Sequence, residues 1–303
     1  MTFLMREGIC EREFEMSSPF WHLYTDGTKM QNIFQTNEEF EIGMTLLAVS
    51  ACRVPNVKII TFELMNNHVH KILSGPREDC IRLFQDFKRK LRRIWRARNK
   101  IIDWEQFQEN LILIDNLKSL RNEIIYVNRN AFVANPNYTP YNYQWGGGYA
   151  YFNSLLEKVE TTKFSNLTYN EKRRLTRCRD ISGLERLEFV GDSVYIPSFC
   201  DIKLGECLFY DARSYFNSLT RNAEAFSQIA VRLKDSVFMT DDELHYVASK
   251  LARAEFNETN ITCLSPEQKI KIAKELKFTY NATKQQIRRI TKLELNVITY
   301  LFG

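Results

Sequence analysis

The sequence lacks three features that would each place it in a well-defined class of proteins. Its seven cysteines form no CxxC pair and follow no regular spacing, which argues against a disulfide framework and a zinc ribbon. No apolar run approaches the ~18 residues of a membrane span, and acidic residues interrupt the apolar residues near the start. No internal repeat or low-complexity tract is visible. We therefore expect a globular, cytoplasmic protein that is neither secreted nor embedded in a membrane.

The composition predicts a buried core and more than one domain. Of 303 residues, 44% are hydrophobic and 26% are charged, the balance of a soluble globular chain long enough for two domains. The net charge of +5 is modest and by itself only hints at a polyanionic partner. The segment 135–148 is rich in Pro, Asn, Tyr and Gly, which is typical of a domain end or a wrapping loop. We predict domains at 1–150 and 151–303.

The first domain alternates short β-prone runs with helical patterns. Turn residues, capping residues and apolar spacing predict strands at 19–25, 57–64, 68–73 and 107–114, and helices starting at 37, 77 and 115. Asn37 is the predicted N-cap of the first of these helices. The order β-α-β-β-α-β-α predicts an α+β fold, with a ferredoxin-like antiparallel sheet and helices packed on one face.

The second domain is predicted to be mostly helical. It contains three capping-box signatures, Thr240 with Glu243, Ser265 with Gln268, and Thr283 with Gln286. Predicted helices at 265–278 and 283–291 flank a turn, so the segment 265–302 resembles a helix-turn-helix. An ordinary helical hairpin is an equally good interpretation.

Two of the four histidines form the triplet His68-Val69-His70 within a predicted strand. Because side chains alternate along a strand, both imidazoles project from one face and can reach one divalent cation, while Val69 points into the core. An HxH triplet alone is a weak signal, and two partly exposed strand histidines without a ligand are the alternative. We expect the other two, His22 and His245, to be incidental.

The predicted helix after residue 115 carries two further polar candidates. The i, i+4 spacing of Tyr126 and Asn130 places them on adjacent turns of one face. That face lies roughly 140° from the centre of the apolar stripe formed by Leu117, Leu120, Ile124 and Val127. We therefore expect Tyr126 and Asn130 on the polar side of the helix.

These motifs resemble those of the HUH single-tyrosine nucleases. The run MNNHVHKIL is similar to the MPNHVHLLV element of the transposases of the smallest bacterial insertion sequences and their relatives associated with repetitive extragenic palindromes. The run Tyr126-Val127-Asn128-Arg129-Asn130 resembles their YIHRNP signature, and the likeness extends from FWHLYTDG to Trp145, within residues 1–150. The resemblance implies that Tyr126 is the nucleophile and that His68, His70 and Asn130 hold a metal.

The family chemistry implied is metal-dependent cleavage and rejoining of single-stranded or hairpin DNA. The metal implied is Mg²⁺ or Mn²⁺, which clamps the scissile phosphate, and attack by the phenol gives a 5′-phosphotyrosine with a free 3′-OH. The implied assembly is a monomer or homodimer, and the implied location is the nucleoid. Three positions depart from the family pattern: Lys71 replaces an apolar residue, Ala131 a Pro, and Trp145-Gly146-Gly147-Gly148-Tyr149 a WSSY-like run.

Two basic segments are predicted to contact DNA phosphates or bases. They comprise Lys88, Arg89, Arg92, Arg93, Arg96 and Lys100 in the first domain and Lys284, Arg288 and Arg289 in the second. The plain alternative for both is a solvated helix face. Two other functions remain open: a DNA-binding regulator that kept the fold without catalysis, and a hydrolytic metal site that uses water as the nucleophile.

Overall fold

The computed structural model describes residues 3–27, 30–134, 138–139, 142–221, 229, 232–233, 239–258 and 260–302. The chain divides into two compact units, residues 1–219 and 220–303, and each is described by itself. Within the described ranges, no helix combines the length and the apolar character needed to cross a bilayer.

The first unit begins with a helix and continues into a four-stranded sheet with its helices. The elements are α1 (Phe3–Ser17), β1 (Phe20–Thr25), α2 (Asn37–Arg53), β2 (Lys58–Leu64), β3 (Val69–Ser74), α3 (Arg77–Ala97), β4 (Glu109–Ile114) and α4 (Leu117–Ala134). The predicted strands and helices of this region are confirmed to within a few residues. The N-cap of α2 is Thr36 rather than the predicted Asn37, because the Thr36 hydroxyl accepts the backbone N–H of Glu39 at 3.3 Å.

The main sheet is antiparallel, with strand order β2-β3-β1-β4. Tyr24 in β1 lies opposite His70 in β3, and Glu63 in β2 lies opposite the same histidine. Since the side chains of cross-strand partners share a face, these three residues project from the same side of the sheet. The predicted α+β class is therefore confirmed.

Helices cover both faces of this sheet, so the predicted placement on one face alone is wrong. Lys71 points towards α3, where its Nζ lies 4.9 Å and 4.6 Å from the ring centres of Phe84 and Phe87. Its neighbour His70 points the opposite way, towards Tyr126 of α4. The strand alternation therefore assigns α2 and α3 to one face and α4 to the other.

Residues 142–219 pack against β2 within the first unit, which extends to residue 219, whereas the first domain was predicted to end at 150. They form β5 (Thr162–Lys163), α5 (Tyr169–Thr176), β6 (Glu188–Val190), β7 (Ser193–Val194), α6 (Ile202–Cys207) and most of α7 (Ala212–Arg221), with β5-β6-β7 as a small antiparallel sheet. The Tyr151 hydroxyl donates to the carbonyl of Ile60 at 2.9 Å, and the Asp201 N–H donates to that of Ile59 at 2.7 Å. These bonds join residues 142–219 to the edge strand β2. The composition of the chain could not indicate this contact.

The second unit contains four described helices. They are α8 (Asp241–Phe256), α9 (Pro266–Phe278), α10 (Lys284–Thr291) and α11 (Leu295–Phe302). All three predicted capping boxes are confirmed, at Thr240, Ser265 and Thr283. In the turn between α9 and α10, Asn281 has a φ of 50°, a left-handed conformation that Asn tolerates better than most residues. The helix-turn-helix interpretation of this pair stays a prediction.

Candidate functional site

The histidine pair lies where β3 begins, with His70 in the strand and His68 just before it. Their ring centres are 5.1 Å apart and the rings are nearly perpendicular, at 88°. Two imidazoles bound at ~2.1 Å to one octahedral cation would have ring centres about 4.5 Å apart. The pair is therefore spaced for joint binding of one divalent ion after a shift of roughly half an ångström.

Tyr126 is brought to the same place by α4. Its ring centre lies 5.7 Å from that of His70 and 6.2 Å from that of His22. Tyr24 also stacks on His70, with ring centres 6.2 Å apart and nearly parallel planes. The strand imidazole and the helix phenol that the sequence separates by 56 positions therefore lie side by side.

Asn130 lies one turn beyond Tyr126 on α4 and is buried, but it does not reach the histidines by hydrogen bonding. Its Nδ2 has no hydrogen-bond partner among the described residues. The neighbouring Ala131 N–H donates to Oε1 of Glu63 at 2.9 Å, which places this turn of the helix against β2. The role of Asn130 as third ligand stays a prediction.

A cation at this position would depend on the two imidazoles and an amide. Within the described ranges, no three His, Cys, Asp or Glu side chains gather closely enough to hold a metal ion. The set His68, His70 and Asn130 contains only two such residues, and it leaves coordination positions for phosphate and water. The spacing of the imidazoles fits a divalent ion, which Asn130 would bind through its Oδ1.

His22 belongs to the site, which corrects the prediction that it is incidental. Its Nε2 lies 2.9 Å from Nδ1 of His70, and its Nδ1 lies 2.7 Å from Oε2 of Glu123. All three side chains are buried. The sequence contained two weak signals. His22 and Tyr24 are two positions apart on a predicted strand and therefore share one face, and Glu123 precedes Tyr126 by one helical turn.

The loops around His68 fit it closely. The Nδ1 of His68 lies 2.7 Å from Oδ1 of Asn67, whose Nδ2 donates to the carbonyl of Gly27 at 2.8 Å. A Cβ at position 27 would lie 2.7 Å from Nδ1 of His68, closer than such atoms approach in proteins. The Asp26-Gly27 turn therefore requires glycine so that the ring can pack against the backbone.

The polar face of α4 is buried, which contradicts its expected position on the polar, outer side. Tyr126 is only 3% exposed, and Asn130 only 5%. This face is buried because it packs against the sheet: the Tyr126 ring lies beside His22 and His70, and Oε2 of Glu123 lies 2.7 Å from Nδ1 of His22. A helical wheel of one segment cannot reveal such partners, since they come from distant parts of the chain.

The glycine run after Trp145 fits tightly between β2 and α4. A Cβ on Gly147 would lie 2.5 Å from the hydroxyl oxygen of Thr61, and one on Gly148 would lie 2.9 Å from Cβ of Asn128. Thr61 in turn donates to Oδ1 of Asn128. Side chains larger than glycine at positions 147 and 148 would therefore not fit here.

The predicted DNA-contacting residues of α3 lie on the opposite side of the sheet from Tyr126. A groove of about 790 Å³ runs along this side of α3. Its lining contains the cations Arg53, Arg82, Arg89, Lys90, Arg93 and Arg179 and the carboxylates Asp86 and Asp180. Lys100 is not among the residues that line this groove. It forms an internal ion pair with Glu39 at 2.7 Å.

In the second unit the three predicted contact residues lie on α10 and differ in their surroundings. Arg288 is exposed, and Lys284 is half-buried. Arg289 pairs with Asp241 of α8, with atoms 2.5 and 3.0 Å apart, so its guanidinium is already committed within the unit. The contact of these residues with DNA stays a prediction.

Comparisons with known proteins add no assignment. The chain matches no protein-family model, no curated protein and no solved structure. The proposals below therefore depend on the motifs and the geometry.

Proposed function

We propose that this protein is a metal-dependent nuclease and strand transferase that acts on single-stranded or hairpin DNA through a phosphotyrosine. The observation that carries the proposal is that Tyr126 lies beside the His68–His70 pair. The ring centres of Tyr126 and His70 are 5.7 Å apart. The order of strands and helices is that of a ferredoxin-like unit and is compatible with the HUH nuclease fold. The likeness of both motifs to HUH single-tyrosine transposases supports the same function.

The proposed step exchanges one phosphate ester for another. The phenol oxygen of Tyr126 attacks the scissile phosphorus, the bond to the 3′ oxygen breaks, and that oxygen gains the proton that the phenol loses. Because the number of ester bonds is unchanged, the 3′-OH can reverse the step on the same or another DNA end without ATP. His68, His70 and Asn130 would hold a Mg²⁺ or Mn²⁺ ion, which stabilises the charge that develops on the phosphate.

The basic residues of α3 and α10 would bind the DNA. Arg89 and Arg93 lie in the α3 groove, where six cations outnumber two carboxylates. Such a groove attracts phosphates by a salt-dependent electrostatic effect. Because this groove and Tyr126 lie on opposite faces of the sheet, it would hold a flanking stem and not the strand that is cut.

The burial of the site favours one alternative, a DNA-binding regulator without catalysis. A phosphodiester cannot reach a phenol that is 3% exposed unless a neighbouring segment moves. In the regulator, the histidines and the tyrosine would act only as a hydrogen-bonded core. The two functions differ in whether a covalent DNA adduct forms.

The test is incubation of the full chain with labelled hairpin and single-stranded oligonucleotides and Mn²⁺, followed by a denaturing gel. We expect a band of protein-linked DNA, and we expect Tyr126→Phe to abolish it while DNA affinity stays within about twofold. Tyr126→Phe removes only the hydroxyl group, which is the proposed nucleophile, so the packing of the ring is kept.

The matched control is Tyr24→Phe, which changes the other phenol that stacks on His70 and should leave the adduct in place. Cleaved DNA without any adduct would support the hydrolytic alternative, with water as the nucleophile. DNA binding with neither product would support the regulator. An undiminished adduct in Tyr126→Phe would overturn the proposal.

A further inference from the structure

The surroundings of the two histidines fix which ring nitrogen carries the proton in each. We propose that Asn67 sets the tautomer of His68 and that the Glu123–His22 pair sets that of His70, so that both rings present an Nε2 lone pair to the cation. These three are positioning residues. The inference rests on the proposed function, because it concerns the metal of that same site.

Two carbonyl groups beside Asn67 determine where the proton of His68 lies. The carbonyls of Gly27 and Met30 accept hydrogen bonds from Nδ2 of Asn67, at 2.8 and 3.5 Å. Since a carbonyl can only accept, the amide nitrogen of Asn67 faces them and its oxygen faces the ring. That oxygen also only accepts, so the His68 Nδ1 at 2.7 Å carries the proton. In the neutral ring the lone pair is then on Nε2.

A buried carboxylate determines where the proton of His70 lies. Oε2 of Glu123 accepts from Nδ1 of His22 at 2.7 Å, so the neutral His22 ring has its lone pair on Nε2. That nitrogen lies 2.9 Å from Nδ1 of His70, which must therefore donate. The proton of His70 is on Nδ1, and its lone pair is on Nε2.

Two unrelated parts of the chain thus impose the same tautomer on the two rings. Asn67 belongs to the turn before β3, whereas His22 lies on β1 and Glu123 on α4. A cation can be shared only if each ring offers a lone pair, and a ring in the other tautomer must first move its proton. Groups that fix metal-binding histidines in this way change metal affinity by roughly 10- to 100-fold.

The Glu123–His22 pair also connects the metal position to the nucleophile. Glu123 and Tyr126 lie one turn apart on α4, so the helix that carries the phenol also holds the carboxylate that orients His70. A shift of α4 would move both groups together. The Glu123–His22 pair therefore couples the position of the Tyr126 phenol to that of His70.

The first test reads the tautomers directly in the metal-free full chain. Imidazole ¹⁵N chemical shifts of histidine-labelled protein distinguish Nδ1–H, Nε2–H and doubly protonated rings. Four histidines give few enough signals to assign with single His→Gln variants. We expect Nδ1–H for His68, His70 and His22. An Nε2–H signal for His68 or His70, or a doubly protonated His22 near pH 7.5 (roughly one unit above the ordinary histidine pKa), would overturn the inference.

The second test measures Mn²⁺ affinity by calorimetry, without DNA. We expect Glu123→Gln and Asn67→Ala each to weaken binding about 10- to 100-fold, since both leave the metal ligands in place. Glu105→Gln, a change in an exposed carboxylate outside this network, is the control and should bind as the unchanged protein does. Asn67 lies on a turn, so Asn67→Ala keeps the test valid even if Glu123→Gln fails to fold.

The two proposals fail in different ways. If the unchanged protein binds Mn²⁺ and forms the DNA adduct while both variants keep its affinity within twofold, the tautomer inference alone is overturned. If the unchanged protein neither binds Mn²⁺ nor forms the adduct, the proposed function fails. The ¹⁵N signals then still decide which nitrogens carry the protons.

Discussion

The two faces of the four-stranded sheet bury opposite kinds of side chains. The face under α4 holds His22, Tyr24, Thr61, Glu63 and His70, and their partners on the helix include Glu123, Tyr126 and Asn128. The face under α2 and α3 is mainly apolar, although it also carries Glu109, which bonds to Gln85, and the buried cation of Lys71 between two phenylalanine rings. A buried polar network stabilises a fold less reliably than close-packed apolar groups, so the two faces are expected to contribute differently to stability.

The largest expected effect on stability lies on the apolar face. We predict that Phe87→Ala lowers the free energy of unfolding of the first unit by about 3 to 5 kcal/mol, because it leaves a cavity under α3. Urea unfolding followed by tryptophan fluorescence measures this, since all four tryptophans lie in the first unit. Phe278→Ala removes an exposed ring and is the control, with an expected change under ~0.5 kcal/mol. A loss below ~1 kcal/mol for Phe87→Ala would mean that this face is not the stabilising one.

The second prediction concerns Lys71, the buried cation on that face. Burial lowers the pKa of Lys71 to about 7, with a smaller opposing effect of Glu109. The two rings attract an ammonium by about 2 kcal/mol, which is less than the cost of removing it from water. Its Nζ has no hydrogen-bond partner among the described residues. We predict that Lys71→Met raises the free energy of unfolding by about 3 kcal/mol at pH 6, measured by the same urea titration.

The lowered pKa of Lys71 also predicts the direction in which stability changes with pH. The folded-state pKa of Lys71, about 7, is below the unfolded value of 10.5, so the unfolded chain binds more protons between these values. Stability of the unchanged protein should therefore rise with pH across this window, and Lys71→Met should lack that part of the slope. Lys58→Met, on the exposed end of β2, is the matched control and should keep the slope. Equal slopes in Lys71→Met and the unchanged protein would contradict the assignment.

The smallest expected effect on stability is on the solvent side of α3. The side chain of Arg89 is 78% exposed and pairs with Asp86, and Arg93 donates to the carbonyl of Arg177 at 2.9 Å. We predict that the double change Arg89→Gln and Arg93→Gln alters stability by under ~0.5 kcal/mol, because exposed ion pairs contribute little.

The same double change should weaken hairpin binding and reduce the slope of log affinity against log salt by about 1 to 2, since two phosphate contacts are lost. Fluorescence anisotropy over a salt series measures both quantities. The control is the double change Arg12→Gln and Arg173→Gln, which removes the same charge outside the groove. An equal loss in that control would show that the groove contributes only through the net charge of the protein.

The local features of the fold were predictable, because they are encoded by residues close together in the chain. The capping boxes at Thr240, Ser265 and Thr283 each join residues three positions apart. The triplet His68-Val69-His70 likewise places two imidazoles near each other by strand alternation alone. The helical spacing of Tyr126 and Asn130 followed from the same kind of rule.

The features that the sequence did not reveal all join distant residues. The Glu123–His22 bond spans 101 positions, and the Asn128–Tyr215 bond, at 2.9 Å, spans 87. The first of these lies on the side of α4 that was expected to face outward, and this side is buried because it packs against the sheet, where Tyr126 lies beside His22 and His70. A wheel or a composition shift describes one segment, so it could not indicate the enclosure of α4 or the packing of residues 142–219 onto β2.

The sequence by itself thus determined the strands and helices between residues 19 and 134, the three capping boxes and the residue types available for chemistry, because backbone preferences and side-chain periodicity act over a few residues. Only the tertiary structure decided which face of the sheet is polar, that His22 joins His70, and that Tyr126 is buried beside them. Those outcomes depend on the packing of segments far apart in the chain, where the burial of one surface is set by whatever other surface covers it.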